Sequence, residues 1–365
     1  MRKAYIEEQK SRHGRKAVVV LPVHYPREIL TAMNVLAVEL WGPPGPPRGP
    51  EAGRLQTYVC AVVRNALAFI ASGGADVADG ALFPHTCDSV QGLATLAPDF
   101  GGWKKPAFRF IHPKGPLRAS SRAFIRAEMV ALAQSLATLG VAPPTDDALR
   151  DAIRLHREID ALKLRLADRR AYLPVNDADY YRVLRRGEFL WPTDHLNELR
   201  DIERKLLDTP AQKGIPIFIT GYVPEPMSIF DVVAEAGAYV AGDDYAAVGR
   251  RVNSRTELDL SDPWAALVDL YDSASPCPTH SAEQAPRLAH LDAIMQRCGA
   301  RGVIIHEQKF CEPQLFDVPA LRRHFGAHGI PQLYLEGELE SDFSGQARTR
   351  IEAFIETLSS PRSAA

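Results

Sequence analysis

Two short apolar runs, each followed by the same kinds of element, constrain the fold of this chain more than any other feature. The first covers residues 17–21 (AVVVL) and the second residues 215–220 (IPIFIT), and each leads into a proline-containing loop and a helical pattern. A continuous run of apolar and β-branched residues is typical of a strand that is buried on both faces of a parallel sheet. Strand, turn and helix then recur in both halves, which predicts two α/β domains.

The same pattern divides the 365 residues into three parts. Residues 1–140 are predicted to form an N-terminal α/β domain, and residues 213–365 a C-terminal α/β domain. Residues 141–212 are predicted to be helical, because apolar residues recur there at helical spacing without an intervening strand pattern. We therefore expect an α/β fold of two Rossmann-like (flavodoxin-like) domains with parallel sheets, plus a helical connecting segment.

Charge and hydropathy exclude several classes of function. The net charge is −2, so there is no electrostatic basis for binding nucleic acid or an anionic membrane. No apolar run approaches the roughly 20 residues of a membrane helix, and the polar N-terminus lacks a signal-peptide core. We expect a cytoplasmic protein, in which five cysteines are unlikely to form a disulfide framework.

Three of these cysteines lie where α/β domains place functional groups. Cys87 and Cys311 follow predicted strands, and Cys60 begins a predicted helix. Because ligands of open α/β sheets bind outside the carboxyl ends of the strands, we expect Cys87 and Cys311 to meet at a cleft between facing domains. A helix N-terminus favours the thiolate, which is the form that binds iron–sulfur clusters and zinc. No pair has Cys-x-x-Cys spacing, so these residues alone leave open whether the thiols bind a metal or are simply buried.

Six segments, in the right order, resemble those of the 2-hydroxyacyl-CoA dehydratase and benzoyl-CoA reductase family. The three that contain cysteine are residues 58–64 (YVCAVVR), 82–88 (LFPHTCD) and 309–319 (KFCEPQLFDVP). The other three are residues 21–30 (LPVHYPREIL), 242–245 (GDDY) and 345–354 (GQARTRIEAF). The resemblance extends over nearly the whole chain.

The resemblance implies an enzyme subunit that holds one [4Fe–4S] cluster through Cys60, Cys87 and Cys311, with one iron left open. It also implies a homologous second subunit, an ATP-hydrolysing iron–sulfur activator and an acyl-CoA substrate whose thioester is reduced to a ketyl. The sequence does not choose between dehydratase and aromatic reductase. Two alternatives stay open: a non-catalytic subunit that relays electrons, and a zinc-binding structural α/β protein.

Three polar residues are candidates for catalysis. His24 and Glu28 follow the first strand, where the cleft of the first domain should open, and His85 lies beside Cys87. Each also has a structural interpretation, since an acidic residue stabilises a helix start and a loop histidine is often simply hydrogen-bonded.

Other polar positions are expected to be structural or are left open. Cys298 is expected to be a structural thiol on a helix, and Asp243 and Asp244 are expected in a solvated turn. Cys277, between two prolines, is either a structural thiol or a redox or ligand group. No Walker or GxGxxG motif is present, so ATP hydrolysis is assigned to a partner.

Overall fold

The computed structural model describes residues 2–45, 55–206, 214–255, 257–280, 282–339 and 342–359. Its strands are β1 Lys16–Val20, β2 Val35–Glu39, β3 Gly80–Pro84, β4 Ala107–Phe110, β5 Ile215–Gly221, β6 Ala238–Tyr245, β7 Gly302–Gln308 and β8 Gln332–Gly337. Its α-helices are α1 Arg2–His13, α2 Arg27–Ala32, α3 Ala61–Ala71, α4 Asp88–Asp99, α5 Ala119–Leu136, α6 Asp146–Asp168, α7 Asp177–Arg186, α8 Pro192–Lys205, α9 Ile229–Glu235, α10 Pro263–Asp272, α11 Gln284–Cys298, α12 Glu312–Ala327 and α13 Gly345–Ser359.

The strands form two four-stranded sheets of the same topology. The first sheet has the order β2-β1-β3-β4 and the second the order β6-β5-β7-β8, and every pairing is parallel. Counted within each sheet, both orders are 2-1-3-4, which begins the flavodoxin-like order of doubly wound sheets. The predicted α/β class with parallel sheets is confirmed.

The chain divides into two compact units, each built from several segments. The first unit combines Met1–Ala161, Arg186–Asn197 and Asn253–Ala274. The second combines Leu162–Arg185, Glu198–Val252 and Ser275–Ala365. The predicted division at residues 140 and 212 stays a prediction, and residues 212 and 213 themselves lie outside the described residues.

The first unit packs helices on both faces of its sheet. Val18 and Val20 of β1 lie in one hydrophobic cluster with residues of α5. Ala17 lies in another, with Ile6 of α1 and Phe189. Successive side chains of a strand point to opposite faces, so β1 contributes to both layers and must be apolar throughout.

The second unit has a comparable core between its central strands and two helices. Phe218 of β5 and Ile305 of β7 pack with Leu291 of α11 and Leu321 of α12. All seven residues of β7 are buried. This explains the uninterrupted apolar run at its start and makes the polar residues at its carboxyl end unusual.

A buried ion pair fastens the helical segment to β6, which is the edge strand of the second sheet. Arg170 Nη2 donates to Asp177 Oδ1 at 2.8 Å, and its Nε donates to the Val240 carbonyl at 2.8 Å. The other carboxylate oxygen of Asp177 accepts the Val240 N–H at 2.7 Å. The pair therefore forms hydrogen bonds with the Val240 N–H and carbonyl, which have no neighbouring strand on that side of the described sheet.

Replacing Asp177 by alanine should strongly destabilise the protein. Asp177→Ala leaves the Arg170 charge buried without its partner, so we expect the free energy of unfolding to fall by about 3–5 kcal/mol. The control is Asp179→Ala on the same helix, whose ion pair with Arg182 is exposed, and which should cost about 0–1 kcal/mol. Urea denaturation followed by circular dichroism measures both, and equal losses would contradict the prediction.

Candidate functional site

Three cysteines occupy the same local position in the fold. Cys60, Cys87 and Cys311 are the N-cap residues of α3, α4 and α12. The first-turn N–H groups of a helix are not used within the helix and converge on this position. Cys298 is instead the last residue of α11, where its thiol donates to the Met295 carbonyl. Cys298 therefore occupies a different helix position from the other three, and the roles predicted for these cysteines stay predictions.

Cys60 and Cys87 lie close enough in the first unit for the charge of Cys87 to raise the pKa of Cys60. The first-turn N–H groups of α3 and α4 favour the charged form of each thiol, although neither sulfur accepts a capping hydrogen bond. Burial, with the neighbouring Cys87 sulfur, nevertheless raises the pKa of Cys60 to about 12, and burial raises the pKa of Cys87. The effect of burial on these pKa values is therefore larger than the lowering that was expected from a helix N-terminus. Cys60 is buried and Cys87 is partly exposed. Two neighbouring thiolates would repel each other, and a bound cation would remove that repulsion.

The loop before Cys87 is held from two sides. The Thr86 hydroxyl donates to the Val23 carbonyl at 2.9 Å, which joins this loop to the loop after β1. Lys114 Nζ, in the loop after β4, donates to the carbonyls of His85 at 3.0 Å and Thr86 at 2.8 Å. The loops after β1, β3 and β4 therefore form one connected surface at the carboxyl edge, by which we mean the side of a sheet where the strands' carboxyl ends lie.

Histidines follow three strands at this edge. His24, after β1, has a φ of 60°, and its ring meets the ring of His112 edge-on at a centroid distance of 5.5 Å. His112, after β4, is buried and its Nδ1 lies 2.7 Å from the Tyr271 hydroxyl. Burial and the neighbouring His24 lower the pKa of His112 to about 2, so its imidazole is neutral at physiological pH. His85 lies after β3, with Nε2 3.7 Å from the Asp88 carboxylate.

The structure thus adds His112 and Tyr271 to the predicted candidates His24 and His85. One signal was present in the sequence, because His112 follows β4 as His85 follows β3. The Tyr271 contact had no such signal, since 159 residues separate Tyr271 from His112. Whether His24 and His85 act in catalysis stays a prediction.

Two carboxylates also lie near this edge. Glu28 is in the first turn of α2, where burial raises its pKa and Arg157 of α6 partly offsets that effect. Its catalytic role stays a prediction. Glu39, at the end of β2, was not foreseen: its two oxygens accept hydrogen bonds from the Tyr25 hydroxyl at 2.8 Å and the Trp41 indole at 3.0 Å.

The expectation of a solvated turn at Asp243 and Asp244 is wrong. β6 continues through both residues, and Asp244 is fully buried. Its Oδ2 atom lies 2.8 Å from Arg250 and 2.5 Å from Arg287. Burial alone would raise the pKa of Asp244, but these two guanidinium groups hold that pKa well below its ordinary value. The arginines lie 6 and 43 residues further along the chain, so local sequence did not reveal them.

Cys277 belongs to the same buried cluster. It is 1% exposed, and its sulfur lies 3.4 Å from Arg250 Nη1 and 3.0 Å from the Thr279 hydroxyl. These contacts favour the structural interpretation of this thiol over a ligand role.

Cys311 lies in the second unit, so its meeting with Cys60 and Cys87 stays a prediction. In the described part of the chain, no three His, Cys, Asp or Glu side chains stand together as a metal-binding group. The donor chemistry still suits a thiophilic metal, since two soft sulfur donors interact beside converging N–H groups. Among the described helices, none is long and apolar enough to cross a membrane.

Comparison with known proteins gives one consistent result. The family described as 2-hydroxyglutaryl-CoA dehydratase, D-component, matches residues 22–358. The chain is 25% identical to the beta subunit of (R)-2-hydroxyglutaryl-CoA dehydratase from Acidaminococcus fermentans, over 94% of this chain and 93% of that one. It is 23% identical to the beta subunit of lactoyl-CoA dehydratase from Anaerotignum propionicum, over 98% and 95% of the two chains. It is 27% identical to a benzoyl-CoA reductase subunit from Thauera aromatica, over 88% and 85%.

Removing the Lys114 ammonium should loosen the loop that carries Cys87. Lys114→Met deletes the donor to the His85 and Thr86 carbonyls, and we expect this to cost the loop about 1 kcal/mol, as for a typical hydrogen bond. Amide hydrogen exchange at residues 85–88 should accelerate about fivefold, because about 1.4 kcal/mol corresponds to a factor of ten. Lys104→Met, at an exposed position on the same unit, is the control. Unchanged exchange in Lys114→Met would show that the backbone alone holds the loop.

Proposed function

Because the chain belongs to the 2-hydroxyglutaryl-CoA dehydratase D-component family, we propose that it is the [4Fe–4S]-binding subunit of an ATP-activated acyl-CoA enzyme. Its relatives are subunits of dehydratases and of a benzoyl-CoA reductase, which makes it an enzyme subunit of that type. The observation that supports cluster binding is the N-cap position shared by Cys60, Cys87 and Cys311. Substrate is either a 2-hydroxyacyl-CoA or an aromatic acyl-CoA.

The three cysteines would hold the cluster, and the helix starts would stabilise it. The first-turn N–H groups near Cys60 and Cys87 favour the thiolate form, and such groups would offset the negative charge of thiolate ligands. When bound, a cluster of this kind supplies low-potential electrons and, at an iron without a protein ligand, a Lewis-acidic position.

The carboxyl edge of the first sheet would orient the acyl group. His112 is neutral and its Nδ1 is engaged by Tyr271, so the ring has a defined direction in which to hydrogen-bond a carbonyl oxygen. The partly buried His24 ring lies against it. These residues would position the substrate.

A partner subunit is also part of the proposal. The relatives are themselves single subunits of larger enzymes, two of them beta subunits, which implies an enzyme of several subunits. Large apolar side chains are exposed close to two of the cysteines: Tyr58, two residues before Cys60, is 66% exposed, and Phe316, five residues after Cys311, is 74% exposed. Exposed aromatic side chains beside functional residues suit a protein interface.

Iron content tests cluster binding. Protein purified anaerobically with its partner should contain about four irons per copy of this chain, as one cubane requires. Cys60→Ser, Cys87→Ser and Cys311→Ser should each lose most of this iron, because the hydroxyl of serine is a poor ligand for such a cluster. Cys298→Ser is the matched control and should keep it. Full iron content in all three motif variants would reject the assignment, and zinc in place of iron would support the structural alternative.

Turnover tests the enzyme type. We expect acyl-CoA conversion only when the chain is combined with its partner subunit, an ATP-hydrolysing activator, ATP and a strong reductant. A panel of 2-hydroxyacyl-CoA esters and benzoyl-CoA, followed by mass spectrometry, distinguishes dehydration from ring reduction. Turnover by this chain alone with NADH and no ATP would contradict the proposal.

A further inference from the structure

Phe310 holds a backbone conformation that its side chain disfavours. Its φ is 64°, in the left-handed region where the Cβ atom of an L-residue crowds the following carbonyl oxygen. Among the described residues other than glycine, only His24 and Asn34 share a positive φ. Asparagine tolerates this region well, whereas an aromatic residue is uncommon in it. A residue in such a conformation persists only where its surroundings hold it there, and it often marks a functional position.

The conformation belongs to a tight turn between β7 and α12. The Lys309 N–H donates to the Gly337 carbonyl of β8 at 2.7 Å, and the Cys311 N–H donates to the Gln308 carbonyl at 3.0 Å. Phe310 is therefore the third residue of a four-residue turn and has the only positive φ within it. This is the pattern of a type II turn, whose third residue is usually glycine. The turn lets the chain leave a fully buried strand and begin a helix within three residues.

Turn geometry alone does not explain the phenylalanine. Glycine would form the same turn without the steric cost, because it has no Cβ atom. The side chain of Phe310 is therefore expected to have a use of its own, which offsets the strain of the backbone.

The pattern of exposure around the turn indicates that use. Cys311 is 6% exposed, although Lys309 and Glu312, which flank the Phe310–Cys311 pair, are both exposed. Phe310 itself is partly buried. The Lys309 ammonium lies over the Phe310 ring, 5.2 Å from its centroid. One face of the ring thus meets an exposed cation, which leaves the opposite face for the protein side, where the thiol is buried.

We propose that Phe310 is a positioning residue for Cys311: its turn sets the thiol at the start of α12, and its ring shields the sulfur from water. This inference rests on the proposed function, in which Cys311 is a cluster ligand. All the residues involved belong to Ser275–Ala365 of the second unit, so no contact with the first unit is needed. Sulfur atoms pack favourably against aromatic rings, and the exclusion of water around a metal-bound thiolate helps to set the potential of a cluster.

Two substitutions test the left-handed conformation. Phe310→Gly and Phe310→Ala both remove the ring, and they differ only in the Cβ atom that the turn disfavours. The melting temperature of Phe310→Gly should exceed that of Phe310→Ala by about 2 °C. The matched control is the same pair at Phe316, a 74% exposed position within α12, where alanine should be the more stable. A more stable alanine variant at position 310 as well would contradict the strained turn.

Alkylation of the metal-free chain at one fixed pH tests the shield without a cluster. Iodoacetamide should modify Cys311 about tenfold faster in Phe310→Ala and Phe310→Gly than in wild type, since the thiol then reacts without a local opening of the turn. Phe310→Tyr keeps the ring and should react at the wild-type rate. Cys298, which is partly exposed on α11, is the reference thiol in the same sample, and mass spectrometry of the cysteine peptides gives the rates. Equal Cys311 rates in wild type and both variants without a ring would overturn the proposal.

Iron release from the assembled enzyme tests what the shield does for the cluster. With a chelator present, Phe310→Ala should lose iron about tenfold faster than wild type, which is the usual scale for a residue that supports a metal ligand. Phe310→Tyr should retain iron as wild type does. Equal release from wild type and Phe310→Ala would reject a role toward the cluster. If wild type itself holds no iron, the proposed function fails, and the alkylation rates still decide whether Phe310 shields Cys311.

Discussion

Parallel pairing is the constraint on which the rest of this structure depends. Since every strand in a sheet runs in the same direction, each loop that leaves a carboxyl end lies on one side of that sheet. In the first unit this brings together His24, His85 and His112 although they are far apart in sequence. The hydrogen bond from Thr86 to the Val23 carbonyl then fixes two of these loops to each other. Polar side chains at this edge are well placed for function, because ligands of open α/β sheets bind outside the carboxyl ends of the strands.

Helix starts at the same edge carry the cysteine sulfurs that are proposed to bind a metal. Burial raises the pKa of both Cys60 and Cys87, so the metal-free thiols resist ionisation, and the first-turn N–H groups only partly compensate. Such a pair is poorly suited to remain as two thiolates alone and well suited to bind a cation. The helix positions explain why three of the five cysteines are distinct from Cys277 and Cys298, whose contacts are with neighbouring structural groups.

The second unit solves a different electrostatic problem at its carboxyl edge. Asp244, Asp317, Arg250 and Arg287 form a buried network in which the charges cancel. Arg250 and Arg287 only partly offset the effect of burial on Glu307, so its pKa stays raised. Glu307 therefore differs from Asp244, whose pKa the two arginines hold well below its ordinary value.

The sequence by itself determined the elements and the positions of the cysteines within them. Apolar runs such as residues 17–21 and 215–220 predicted strands of a parallel sheet, and the same pattern placed Cys60, Cys87 and Cys311 at the ends of predicted elements. Only the tertiary structure decided which side chains the buried polar groups contact. Asp244 was misjudged because Arg287 lies 43 residues away, and Tyr271 reaches His112 across 159 residues. Local periodicity encodes which face of an element is buried, whereas the charge of a buried group depends on side chains that only folding brings within a few ångströms.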